Sequence, residues 1–294
     1  MEVNSSSTNE SLPQPYFTFG MECYIVMPGF FHFISYGITF ILLLLPLCIF
    51  VLYLGLQRWC QQSSTSSAAS TNSHSDIVTF HMVVMELICF LGFNFCIYAV
   101  YVENYKMLSV GFVIWCFAWY VQNSLHILTC VERYLAVVHP VTYLNLKGQR
   151  GVRIRNICIG CVWLLSFAMS YLPDDLTLVF DLGLMIFSLI VVSFFSLSVL
   201  CVLIRPGPGE QGGDRTIVDQ SKRRAFFTIV AILGVLLVRC FVILVRTVFY
   251  LLDQSEGCVL IVAEVWFTLP SSLVLPLLFL HRAGKLACCK NNNK

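Results

Sequence analysis

Glu132, Arg133 and Tyr134 stand together at the end of an apolar run, and His139, Pro140, Val141 and Tyr143 follow. An adjacent acid and arginine where a hydrophobic helix leaves a membrane are costly unless they sit at the interface or face a protein interior, so the triplet marks function. Glu86, Arg239, Arg246 and Glu264 lie inside other apolar runs. Arg239 and Arg246 are seven residues apart, which places them on one helix face about two turns from each other. A guanidinium there must be paired or hydrated, and its planar fork of donors matches a carboxylate or phosphate. Arg246 is therefore positioned either to receive the anionic group of a ligand or to pair internally with Glu264. Arg239 is within reach of Glu86, whose carboxyl must be protonated, paired or hydrated inside a bundle. Asn94, Tyr98, Trp115, Tyr120 and Asn123 add the aromatic walls and few polar points of a ligand pocket, although interfacial belts and helix packing use the same residues. Cys158 and Cys161 form a lone C-x-x-C with no second pair, which speaks against zinc or redox chemistry.

The elements that position these groups follow from composition. The chain of 294 residues is 58% hydrophobic and 12% charged with a mean hydropathy of +0.80, against roughly 25% charged residues in soluble domains. That is an all-α, multi-pass membrane composition, and the lipid bilayer is the first partner it implies. Seven runs reach the about 20 residues needed to cross about 30 Å of hydrocarbon as helices; they cover about 26–56, 77–101, 108–135, 152–172, 176–204, 224–252 and 258–280. The connections are a Ser/Thr linker at 61–75, short loops at 103–106, 173–175 and 253–257, a basic loop at 146–155 and a Gly/Pro-rich stretch at 205–213 running into Lys222-Arg223-Arg224. None of them holds a domain, and no internal repeat is visible. Most of the 14 cysteines lie inside apolar runs, where they act as small hydrophobes.

Of the 18 Lys and Arg, all but Lys106, Arg239 and Arg246 fall on the first, third and fifth connections and the C-terminal tail. The opposite side collects Glu2, Glu10, Glu22, Glu103, Asp174, Asp175, Asp253 and Glu256. The positive-inside rule then puts the N-terminus outside and the C-terminus inside, as an odd number of spans requires. Residues 1–24 read as an extracellular tail, glycosylated at Asn4 and Asn9, both in Asn-x-Ser sequons. No basic n-region precedes a short apolar run, so a cleaved signal peptide is not expected and the first span directs insertion. Residues 281–294 read as a short amphipathic helix and cytoplasmic tail, whose Cys288 and Cys289 beside Lys285 and Lys290 suit palmitoylation, with reduced thiols as the alternative.

Seven spans, an outside N-terminus and Glu132-Arg133-Tyr134 closing the third span, followed by His139-Pro140-Val141, resemble a rhodopsin-like G-protein-coupled receptor over about residues 25–289. Trp163 stands in the fourth span where that family has one. The resemblance implies a plasma-membrane receptor with a small extracellular ligand in the outer half of the bundle, coupled to a heterotrimeric G protein through Arg133 and, by insertion of its side chain, Val141. It implies no enzyme chemistry and no nucleic-acid partner. Glu86 is similar in position to the family's sodium-binding aspartate, which makes a sodium ion near Glu86 the expected cofactor; Asn123 and Arg239 complete an interior polar network. Cys23 and Cys258 are the cysteines left on the outer side, on helices that are neighbours in the resembled fold, so a bond between them is expected, with two separate thiols as the alternative.

The chain also departs from that pattern. Leu275-Pro276-Leu277-Leu278-Phe279 keeps only the proline of the seventh-helix motif, and Cys240-Phe241-Val242-Ile243 lacks the sixth-helix proline. Lys222-Arg223-Arg224 replaces an acid that clasps the third-helix arginine at rest, so raised basal activity is expected. A non-signalling scavenger or heterodimer partner is the alternative from a different class. A transporter or channel should show repeats or broken helices, and neither is visible.

Overall fold

Apolar runs of this length fold as helices because in hydrocarbon every backbone N–H and C=O must be satisfied within its own segment. The computed structural model describes residues 29–64, 74–146, 148–172, 174–204, 215–251 and 257–282. Among these the elements are α1 (Gly29–Thr39), a π-turn (Phe40–Leu44), α2 (Leu45–Ser64), α3 (His74–Tyr101), α4 (Tyr105–Val138), α5 (Pro140–Leu146), α6 (Gln149–Met169), α7 (Asp174–Ile204), α8 (Arg215–Leu251) and α9 (Gly257–Arg282). Six stretches are long and apolar enough to cross a membrane: Gly29–Gln57, Ile77–Tyr101, Tyr105–Val138, Gln149–Met169, Leu176–Val202 and Phe226–Val245. In α9 the apolar stretch that can be described, Val265–Leu280, is shorter.

The first span carries its π-turn for a local reason. Pro46 has no N–H and its ring collides with a carbonyl four residues back, so the ladder slips one residue ahead of it and the Leu45 N–H bonds to the Phe40 carbonyl. Two prolines, Pro270 and Pro276, lie inside α9. In α8 there is none, so the sixth span runs straight through where a proline kink would sit.

Helix α4 is the axis of the bundle, touching α3, α5, α6, α7 and α8. Ala118, Tyr120, Val121, Gln122, Asn123, Leu125, His126, Thr129 and Cys130 are all buried, so this helix is covered nearly all round, as only a central helix can be. Its packing on α3 is close. A Cβ at Gly92 would lie 3.2 Å from the Gly111 carbonyl oxygen, and one at Gly111 would lie 3.0 Å from that of Gly92, so these glycines let the two backbones approach. The exterior is apolar: Phe31, Leu42, Leu164, Phe187, Ile190, Leu197 and Phe241 all point outward, as a bundle surrounded by lipid requires.

The turn between α3 and α4 is built by its sequence. Glu103 adopts a left-handed φ of 53°, and Asn104 caps α4 by accepting from the backbone N–H groups of Lys106 (3.1 Å) and Met107 (3.3 Å). Replacing Asn104 by alanine removes that cap at a cost of about 1 kcal/mol, so the melting temperature is expected to fall by about 2–4 °C in a thermal unfolding scan.

Several boundaries differ from the sequence reading. Helix α8 begins at Arg215, so Lys222-Arg223-Arg224 lies within it and not ahead of it. Residues 140–146, given no element by the sequence, form α5: Pro140 takes the first helical position, where its missing N–H is not needed, and the Tyr143 N–H bonds to the His139 carbonyl at 3.0 Å.

Candidate functional site

The described polar groups gather in the middle of the bundle, where α3, α4, α8 and α9 meet. Glu86 of α3 is 1% exposed, and its Oε1 accepts from Gln122 Nε2 of α4 at 2.9 Å. The Ser272 hydroxyl of α9 bonds to the same carboxyl. Arg239 of α8 is 3% exposed and donates from Nη1 to Asn123 Oδ1 at 3.1 Å and to Ser271 Oγ at 3.2 Å. Its guanidinium also lies over the Trp119 ring, 5.5 Å from the centroid, in cation–π contact. His126 Nε2 meets Ser271 Oγ at 2.8 Å. Asn123 Nδ2 and His126 Nδ1 are buried without a hydrogen-bond partner among the described residues. Tyr36, Glu86, Cys89, Trp115, Trp119, Gln122, Arg239, Thr268 and Ser272 enclose a cavity of about 10 Å³, room for about one water molecule.

Asn123 and Arg239 thus share one hydrogen-bonded set with Ser271 and His126, Glu86 shares a second with Gln122 and Ser272, and Glu86 and Arg239 line the same cavity. The guanidinium of Arg239, which stays charged at any physiological pH, forms part of the wall of the cavity that Glu86 lines. Trp115 lines the same cavity from an aromatic cluster, stacked on Phe33 with centroids 5.9 Å apart and on Tyr36 at 6.3 Å.

A second cavity, of about 190 Å³, opens where α6 ends and α7 begins, against α4. Val113, Cys116, Tyr120, Met169, Tyr171 and Thr177 are among its walls. Tyr120 is buried and donates to Asp181 Oδ1 of α7 at 2.8 Å. Ser170 and Thr177 donate their hydroxyls to the backbone carbonyls of Ser166 and Leu172, and the lining mixes apolar side chains with two phenols, Tyr120 and Tyr171, and an acid behind Tyr120. Asn94 and Tyr98 line neither cavity. Both sit on the outward face of α3, and Asn94 bonds to its own helix at the Phe90 carbonyl, 2.7 Å away.

At the other end of α4, about 42 Å from Tyr105 along the axis, Glu132, Arg133 and Tyr134 are half-buried. Tyr134 packs on Phe195 with centroids 4.9 Å apart and its hydroxyl meets His139 Nε2 at 3.3 Å. The charge of Glu132 acts on Arg155 of α6. Val141, 72% exposed on α5, projects from the same end.

The side chains of Arg246, Glu264 and Cys258 lie outside the described residues, as do Asn4, Asn9, Cys23, Cys288 and Cys289 entirely. Sequence reasoning gave no role to Gln122, Ser271, Ser272 or Asp181. Asp181 carried a readable signal, a lone acid inside the apolar run of α7; the others are uncharged and gave none. No protein-family model and no curated protein matches the chain.

Proposed function

We propose that the chain is a seven-helix receptor of the plasma membrane, similar to the rhodopsin-like G-protein-coupled receptors, with its N-terminus outside. Helix α9, at 26 residues or about 39 Å, is long enough to be the seventh crossing. A small extracellular ligand enters the end of the bundle that holds the cavity between α4, α6 and α7, and a heterotrimeric G protein engages the opposite end. The observation that carries this reading is the construction of that opposite end. Arg133 and Tyr134 close the central helix, the His139 backbone caps it, and α5 immediately presents exposed Val141 beside the basic connections. A ligand shifts such a bundle only through different affinities for its two states, and a central helix reaching from cavity to inner end can transmit that difference.

The cavity walls include no basic residue, so an anionic ligand would have to be met by Arg246, which the sequence places on the outer part of α8. The alternative, a non-signalling scavenger or heterodimer partner, is favoured by one observation: α8 has no proline and Arg239 ties it to α4 and α9.

Nucleotide exchange on a panel of purified heterotrimeric G proteins, with the full chain in lipid nanodiscs, separates the two. Exchange above that of empty discs is expected without ligand, because Lys222, Arg223 and Arg224 supply no acid to hold Arg133, and pooled acidic metabolites and lipids should raise it further. Exchange equal to empty discs in every arm overturns the receptor reading and leaves the binding protein.

A further inference from the structure

A carboxyl and a guanidinium at the centre of a membrane bundle need an explanation whether or not the chain signals. Glu86 and Arg239 face one cavity of about 10 Å³ from α3 and α8. The guanidinium is held in place: Nη1 bonds to Asn123 and Ser271, and the Trp119 ring lies beneath it. The carboxyl is held from the other side by Gln122 and Ser272. His126, Tyr36 and Cys89 are the other titratable groups at the cluster, so Arg239 is its only fixed positive charge among the described residues.

We propose that Arg239 is the resident counter-cation of Glu86, carried by the chain itself, and that this interior site is therefore built to work without sodium. A carboxylate in hydrocarbon is stabilised by an opposite charge in the same low-dielectric space, and an arginine supplies it permanently. A second cation in a cavity the size of one water would meet the guanidinium at close range with no solvent between them, and that repulsion excludes it. The arrangement also crosslinks four helices, because the two charges and their four hydrogen-bonding partners come from α3, α4, α8 and α9.

Thermal unfolding of the purified full chain in nanodiscs reads this directly, in sodium chloride against an equal concentration of N-methylglucamine chloride. Wild type is expected to melt at the same temperature in both. Glu86→Gln and Arg239→Gln should each lower the melting temperature by on the order of 5 °C, and the double variant should lose less than the two single losses together, because each single change strands the other group. Arg239→Gln should also gain a saturable, sodium-dependent rise that Arg239→Lys, which keeps the charge, does not show. A sodium-dependent rise in wild type, or strictly additive losses in the double variant, overturns the proposal. If Arg239→Gln is not recovered folded, the double variant decides: recovery supports the coupling, and failure of both refutes it. G-protein exchange is not measured, so the result is independent of the receptor reading.

Discussion

Arg133→Ala is expected to bring nucleotide exchange down to the level of empty discs while the protein still reaches the surface and melts where wild type does. The asymmetry follows from where the residue stands. Arg133 is half-buried at the end of α4 and takes no part in the apolar cluster of Leu125, Cys130, Ile229 and their neighbours that holds this region together. Removing it leaves that packing intact. What is lost is a charge-assisted donor at the face proposed to meet the G protein, worth about 1.5–3 kcal/mol or about tenfold and more in affinity. The Arg155 side chain, on α6, is under the influence of Glu132, and Val141 contributes only apolar surface. Exchange that persists in Arg133→Ala at equal surface density would show that the G protein, if it couples at all, does so elsewhere.

The helices of this chain were legible because a membrane imposes one length on every span, and hydropathy reports that length. It does not report where a helix ends once it leaves the hydrocarbon. Residues Arg215 to Arg224 are polar apart from Ile217 and Val218, so the span read as starting at 224 is the apolar part of a helix nine residues longer at its start. The rotation of a span about its axis was also hidden, since a helix in lipid is apolar on its outward face as well as its inward one and leaves no stripe to read. That is why the exposed positions of Asn94 and Tyr98 on α3 could not be read from the sequence. Charges were easier. Glu86 and Arg239 stand out because burial of a bare charge is so costly, and the cost itself predicts partners. Their partners Gln122, Ser271 and Ser272 are uncharged residues of a sort found throughout membrane helices, so only the three-dimensional arrangement shows which ones serve.

Glycine illustrates the same division, and it supports the second large effect: Gly111→Leu should abolish recovery of folded protein, whereas Gly234→Leu should leave it unchanged. The sequence does not distinguish these two glycines, each inside an apolar run. In the fold, a Cβ on Gly111 would lie 3.0 Å from the Cys96 backbone nitrogen and 3.0 Å from the Gly92 carbonyl oxygen, with the Cys96 sulfur closer still. Backbone atoms in a helix cannot turn aside as a side-chain tip can, so leucine there must push α3 and α4 apart. The cluster of Phe33, Tyr36, Phe93, Cys96 and Leu108 is packed across that seam and would open with it. Overpacking and cavity then act together, a combination expected to cost more than about 4 kcal/mol. A Cβ on Gly234 meets no atom within 4 Å, because this face of α8 is exposed to lipid, and the change should stay within about 0.5 kcal/mol. Size-exclusion profiles of detergent-solubilised fluorescent fusions compare the two at once. Equal monodisperse peaks for both would show that α3 and α4 do not meet at Gly92 and Gly111. Because Glu86 and Gln122 sit on the same two helices, a separated seam would also pull apart the hydrogen bond between them at the bundle's centre.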